Sequence, residues 1–257
     1  MVNNVQQSLE VRLSNDELTF LLKLLGFGGV PGFSAAGDFP ADDADAAMKS
    51  LIARGYAEPG EESPVIVDER VAALIGSGVL ANRSYSVTYS EEGMQSTQWF
   101  YLVENFPVHH MEILPGVHRF RLMNDAEDVV SSIAAAMNLD TDFEHAPAGD
   151  KSQIPFDVYE HLGKVNRQQG SAAAEKFLAE QGLPKATINA MLHHDVRVIC
   201  TMVQTHGESA SAVGFMSLLT EQGYWVVEPT SEVVTIYPAT VEEVMSIALD
   251  LLETVVG

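Results

Sequence analysis

The chain has 257 residues, of which 36 are acidic and 14 basic, for a formal charge of −22. Such a field repels phosphate backbones and anionic membrane surfaces, and the Lys and Arg are scattered singly, so no basic stripe for nucleic acid is present. Hydrophobic residues make up 46%, and a mean hydropathy of +0.05 fits a globular chain with a substantial core, as one large domain or two small ones.

Cys200 is the single cysteine, so no intramolecular disulfide can form, consistent with a reducing compartment. The opening MVNNVQQSLEVRL lacks a basic stretch followed by an apolar run, so no secretory leader is expected there. No apolar window approaches the ~18–20 residues of a membrane helix. These features predict a cytoplasmic protein that inserts in no membrane.

In chain order, LEVRL at 9–13 alternates apolar and charged residues, a short strand signal. Ser14 then starts a capping box with Glu17, three residues on, which predicts a helix through Leu18, Leu21, Leu22 and Leu25 that Gly26 closes. A turn follows in GFGGVPG. A second helix is expected over Asp42–Arg54, a brief strand at Val65–Val67, and a third helix capped by Asp68. This succession resembles a winged helix. Its second helix, however, opens with Asp42, Asp43 and Asp45 and offers only Lys49 and Arg54 to a phosphate backbone, which argues against DNA.

Four short β-type runs come next: Tyr85–Tyr89, Gln98–Val103, Val108–Ile113 and Val117–Leu122. A helix over Ala126–Met137 follows them. A second helical region, broken at Gly170, Gly182 and Pro184, then leads into runs at Val198–Gln204, Val213–Leu219, Tyr224–Glu228 and Val233–Tyr237 and a helix from Val241. Landmarks in the two blocks keep a near-constant offset: 114 positions from Gly93 to Gly207, and 115 from Phe100 to Phe215 and from Val129 to Val244. That spacing points to an internal duplication. The fold expected is α+β: a first half over 8–139, a polar connection at 140–153 and a second half over 154–257. Each half holds winged-helix-like helices, a four-stranded antiparallel sheet and a closing helix, and the halves are related by a pseudo-twofold. Free strand edges could also pair between chains, which leaves a homodimer open.

Candidate chemistry is sparse. The stretch Gly26–Gly32 misses GxGxxG because position 31 is proline, and it follows a helix instead of a strand, so it reads as a turn between helices with no phosphate to cradle. No P-loop, nucleophile elbow or HExxH pair occurs, and no cofactor is expected. His110 and Glu112 would share a strand face with His118 on the adjacent strand, the ligand types of an open metal site. Hairpin surfaces often carry His and Glu without metal, and that second reading is preferred. His193–His194–Asp195 falls at a helix end, where an imidazolium would meet the C-terminal dipole. Cys200 sits in the apolar run VRVICTMV and reads as a buried structural thiol. Alternation places Trp99 opposite Phe100, on the face that also carries Tyr101, and Trp225 opposite Tyr224. If left uncovered, Trp99, Tyr101 and Trp225 would be anchors for a protein partner, but helices could equally cover them.

The segments LEVRLSNDELTFLLKLLG, SLIARGYAE, SYSVTY and HRFRL, in this order over nearly the whole chain, resemble the EspG family of type VII secretion chaperones. The resemblance implies a cytosolic protein that holds an export substrate through its central sheet. The favoured function is therefore a non-catalytic chaperone or adaptor for a protein partner. The alternative is a small-molecule-binding protein or enzyme with a pocket between the two halves.

Overall fold

The computed structural model describes residues 9–35, 37–61, 65–143, 145–206 and 209–253. In chain order these form β1 (Glu10–Ser14), α1 (Asn15–Leu24), β2 (Gly29–Val30), β3 (Phe33–Ser34), α2 (Ala41–Ala53), β4 (Ala57–Glu58), β5 (Ile66–Val67) and α3 (Glu69–Leu80). There follow β6 (Arg83–Glu91), β7 (Met94–Tyr101), β8 (Val108–Leu114), β9 (Val117–Leu122) and α4 (Ala126–Met137). The remainder is β10 (Ser152–Pro155), α5 (Phe156–Gln169), α6 (Ser171–Glu180), α7 (Lys185–Leu192), β11 (Val196–His206), β12 (Ser209–Thr220), β13 (Gly223–Pro229), β14 (Val233–Ala239) and α8 (Val241–Glu253). The class is α+β.

Two compact units emerge. One comprises Met1–Ser86, Thr97–Ser132 and Val203–Ala210; the other comprises Val87–Ser96, Ile133–Met202 and Ser211–Gly257. In the first, adjacent strands run β1-β9-β8-β7-β6. The four consecutive strands thus gain a fifth, because β1 pairs antiparallel with β9 from Glu10↔Arg121 to Ser14↔Val117. In the second unit the order is β11-β12-β13-β14-β10. Again a strand is added from outside the run: the connection read over 140–153 ends in β10, whose Ser152 and Gln153 pair with Ile236 and Thr235 of β14. Composition marked this segment as polar, but two of its four strand positions, Ser152 and Ile154, point inward and are buried.

Local chemistry explains the boundaries. The Ser14 hydroxyl accepts from the Glu17 N–H while the Ser14 N–H donates to the Glu17 carboxylate, so the expected capping box starts α1 one turn before its apolar stripe. The Asp68 carboxylate accepts from Arg70 N–H at the head of α3. At the β6–β7 turn both Glu92 and Gly93 have positive φ, the pair of conformations a tight type I′ hairpin demands. The corresponding landmark, Gly207, lies outside the described residues. The turn expected at Gly26–Gly32 carries a small β2–β3 hairpin, with Gly29 opposite Ser34 and Val30 opposite Phe33.

In the first unit α1, α2 and α3 join Val11, Leu13, Tyr101, Val108 and Phe120 in one core. Glu17 is 3% exposed at the centre of this packing. One carboxylate oxygen accepts from Ser50 Oγ at 2.8 Å and the other from Ser14 N–H at 2.8 Å. Arg54 Nη1 donates to both, and its Nη2 donates to the Arg12 carbonyl oxygen. One side chain thereby ties β1, α1 and α2 together. On the opposite sheet face, Arg121 grips Asp128 through two bonds of 3.0 Å and seats α4. In the second unit α5, α6 and α7 cover Leu218, Trp225, Val227 and Ile236, while α8 lies against β13.

Three outcomes follow for stability. Removing Glu17 leaves the Arg54 guanidinium and the Ser14 and Ser50 donors without their acceptor, so Glu17→Ala should cost about 3 kcal/mol in chemical denaturation. Lys49→Ala, which breaks an exposed i,i+4 pair with Asp45, should change it by less than about 0.5 kcal/mol. Gly32 has φ +85 and backs directly onto the indole nitrogen of Trp99, so Gly32→Ala should lower stability by about 2 kcal/mol in the same measurement.

Candidate functional site

The strand register brings His110 and His118 together and leaves Glu112 to a different task. On β8 and β9, His110 lies opposite Phe120 and Glu112 opposite His118. His110 Nε2 is 3.0 Å from His118 Nδ1, His110 Nδ1 is 2.6 Å from the Tyr101 hydroxyl, and His118 Nε2 is 2.8 Å from Asn15 Oδ1. The Tyr101 hydroxyl has one proton and the Pro31 carbonyl oxygen, 2.7 Å away, can only accept it, so the Tyr101 oxygen accepts from His110 Nδ1–H and His110 Nε2 in turn accepts from His118 Nδ1–H. In that arrangement both rings are neutral, and each ring nitrogen of the pair has a polar neighbour within 3.0 Å. The Glu112 carboxylate accepts the Gly116 N–H at 2.6 Å, closing the β8–β9 turn. Among the described residues no group of three His, Cys, Asp or Glu is placed to hold a metal.

Burial sets the protonation of this cluster. It pushes His110 down to about 3, aided by the neighbouring His118 and His109, and it also lowers His118 against the opposing pull of Glu112. Burial likewise holds the Tyr101 phenol well above its usual value. His109 points to the other sheet face, as alternation requires. There it stacks on Phe100 with ring centres 4.6 Å apart and meets Gln98 Oε1 at 2.8 Å. Burial, then the positive charges of Arg119 and Arg121, lower it to about 3.

The aromatic candidates meet different fates. Tyr101 is fully buried, its hydroxyl also 2.7 Å from the Pro31 carbonyl oxygen, and Trp225 is 2% exposed beneath α5–α7 with Gly149 against its ring. The exposure that would make these two residues anchors is therefore not met; the helices cover them. Trp99 is part-buried, packed against the first core and seated on Gly32. Cys200 is fully buried. His194 does sit just past a helix end, with Nδ1 3.3 Å from the Ala190 carbonyl oxygen. Burial lowers its pKa, which favours the neutral imidazole over the imidazolium expected at that end.

Residues 194–197 line a set of cavities inside the second unit that the sequence did not single out. One of about 580 Å³ lies between the β6–β7 turn and His194, Asp195 and Arg197. A second, of about 390 Å³, runs under α5 and α7 past Tyr159, Leu162, Met216 and Arg197. A third, of about 500 Å³, opens between α7 and the Thr220–Gln222 turn. His194 borders all three. The available sequence signal was Arg197, a cation entering an apolar strand of an acidic chain.

No protein-family model matches this chain, and no curated protein matches it. Among solved structures it is similar to the type VII secretion system chaperone EspG5 of Mycobacterium tuberculosis, determined in complex with a PE25–PPE41 dimer. The TM-score is 0.70 over 96% of this chain and 97% of that one, at 15% sequence identity. The fold is EspG-like. At that identity the likeness is one of fold, and function has to be argued from the residues.

The neutral histidines predict a pH dependence. His109 and His110 take up a proton near pH 3 when folded and near the ordinary 6.5 when unfolded, so between those values the unfolded chain binds more protons. Stability should be level above pH 7 and fall as pH drops from 6.5 towards 4, by up to about 1.4 kcal/mol per pH unit for each histidine. Thermal melting of the wild type against His109→Gln, in which one such contribution is removed, should show a shallower slope in the variant over that window.

Proposed function

We propose that this chain is a cytoplasmic, non-catalytic chaperone or adaptor that binds a protein partner, in the manner of an EspG protein. The observation that carries this reading is the fold likeness, which extends over 96% of the chain to a chaperone solved with a bound protein dimer. The state of the reactive side chains supports it: His110, His118 and Tyr101 are spent on one another in the core, and the Glu17 carboxylate on Arg54, Ser50 and Ser14. A charge of −22 suits a soluble carrier that must stay clear of anionic surfaces, and no described helix is long and apolar enough to cross a membrane.

Affinity capture from the native cell extract, followed by size exclusion and mass spectrometry, tests the reading. The expected result is a protein partner that stays at fixed stoichiometry through both steps. Recovery of the chain without any such partner, but with a defined metabolite retained, would overturn it.

A further inference from the structure

The cavity of about 390 Å³ under α5 and α7 combines an apolar wall with basic side chains. Leu162, Met216, Leu218 and Val227 among others make one apolar wall, and Tyr159, Asn166, His194, Arg167 and Arg197 contribute polar groups. The chain as a whole carries 36 acidic and 14 basic residues, yet two arginines and one carboxylate, the exposed Glu160, border this space. Neither arginine forms an ion pair with a described carboxylate. Arg197 Nε is shut off from solvent and has no hydrogen-bond acceptor. The guanidinium therefore stands at the cavity wall with no carboxylate to balance its charge, and a carboxylate in the cavity would supply one. The positive charge of Arg197 reaches both Tyr159 and His194 and lowers the pKa of each, while burial raises the one and lowers the other. The volume of about 390 Å³ lies in the range of small-molecule sites.

We infer that this cavity binds a small amphipathic monocarboxylate, an aliphatic chain lying along Leu162, Met216, Leu218 and Val227 with its carboxylate on Arg197. Arg197 Nε is closed to solvent, so the carboxylate meets the guanidinium through its terminal nitrogens. A cavity of about 390 Å³ holds a short aliphatic chain and not a longer polymer. The inference is independent of the protein-partner reading, since it concerns one cavity within the second unit.

Decanoate is the probe, titrated calorimetrically into the full chain at pH 8 below its micelle concentration, with decan-1-ol as the uncharged counterpart. Saturable binding at one site is expected, about tenfold or more tighter for decanoate than for the alcohol. Arg197→Gln should lose at least tenfold in decanoate affinity and leave the alcohol unchanged, and Arg197→Lys should fall between. Absence of saturable decanoate binding, equal affinity for acid and alcohol, or unchanged decanoate affinity in Arg197→Gln would each overturn the inference. Should Arg197→Gln fail to fold, the comparison of acid with alcohol on the wild type decides.

Discussion

A strand covered on both faces has no solvent in which to hide a polar side chain, so each such group must find its partner inside the protein. That constraint governs much of this structure. Val108, His109 and His110 are consecutive on β8 and all buried, and Gly223 to Val227 on β13 are buried without a break. His109 is bound to Gln98 on one face; His110 is joined to Tyr101 and His118 on the other. Glu17 obeys the same rule at the base of α1, its two oxygens saturated by Ser14, Ser50 and Arg54. Chemistry that looks available in the sequence is consumed in this way by the fold.

The same constraint bears on Arg197. Three other arginines have a carboxylate acceptor: Arg54 has Glu17, Arg70 has Asp68 and Arg121 has Asp128. Arg197 enters β11 beside a cavity with no carboxylate in ion-pair range and a buried nitrogen unmatched. An arginine without a carboxylate partner at the wall of a partly apolar cavity is where an anionic ligand fits.

Much of the architecture was legible in the chain. Ser14 and Glu17 stand three apart because a capping box needs that spacing, and the box is present. The four-strand runs and their closing helices at Ala126–Met137 and from Val241 were set by local periodicity and turn residues, and they appear where expected. The outer strands were harder. LEVRL alternates and was visible as a strand, but nothing local says that it pairs with β9 more than a hundred residues away. Ser152–Pro155 carries a proline and a polar flank, and only its pairing with β14 makes it β10.

What the sequence determined by itself is the main helices and the two four-strand runs, their order, the acid-rich character, and the face on which Trp99 and Tyr101 lie, because these depend on spacing along the chain. What the tertiary structure decided is which faces are covered. Tyr101 and Trp225 became core residues because α1–α3 and α5–α7 settle on them, and His110 and His118 became hydrogen-bonded neighbours because two strands fell into one register. Arg197 gained its cavity because α5, α7 and β12 meet around it. Burial and partnership depend on residues far apart in the chain, and no local pattern carries that information.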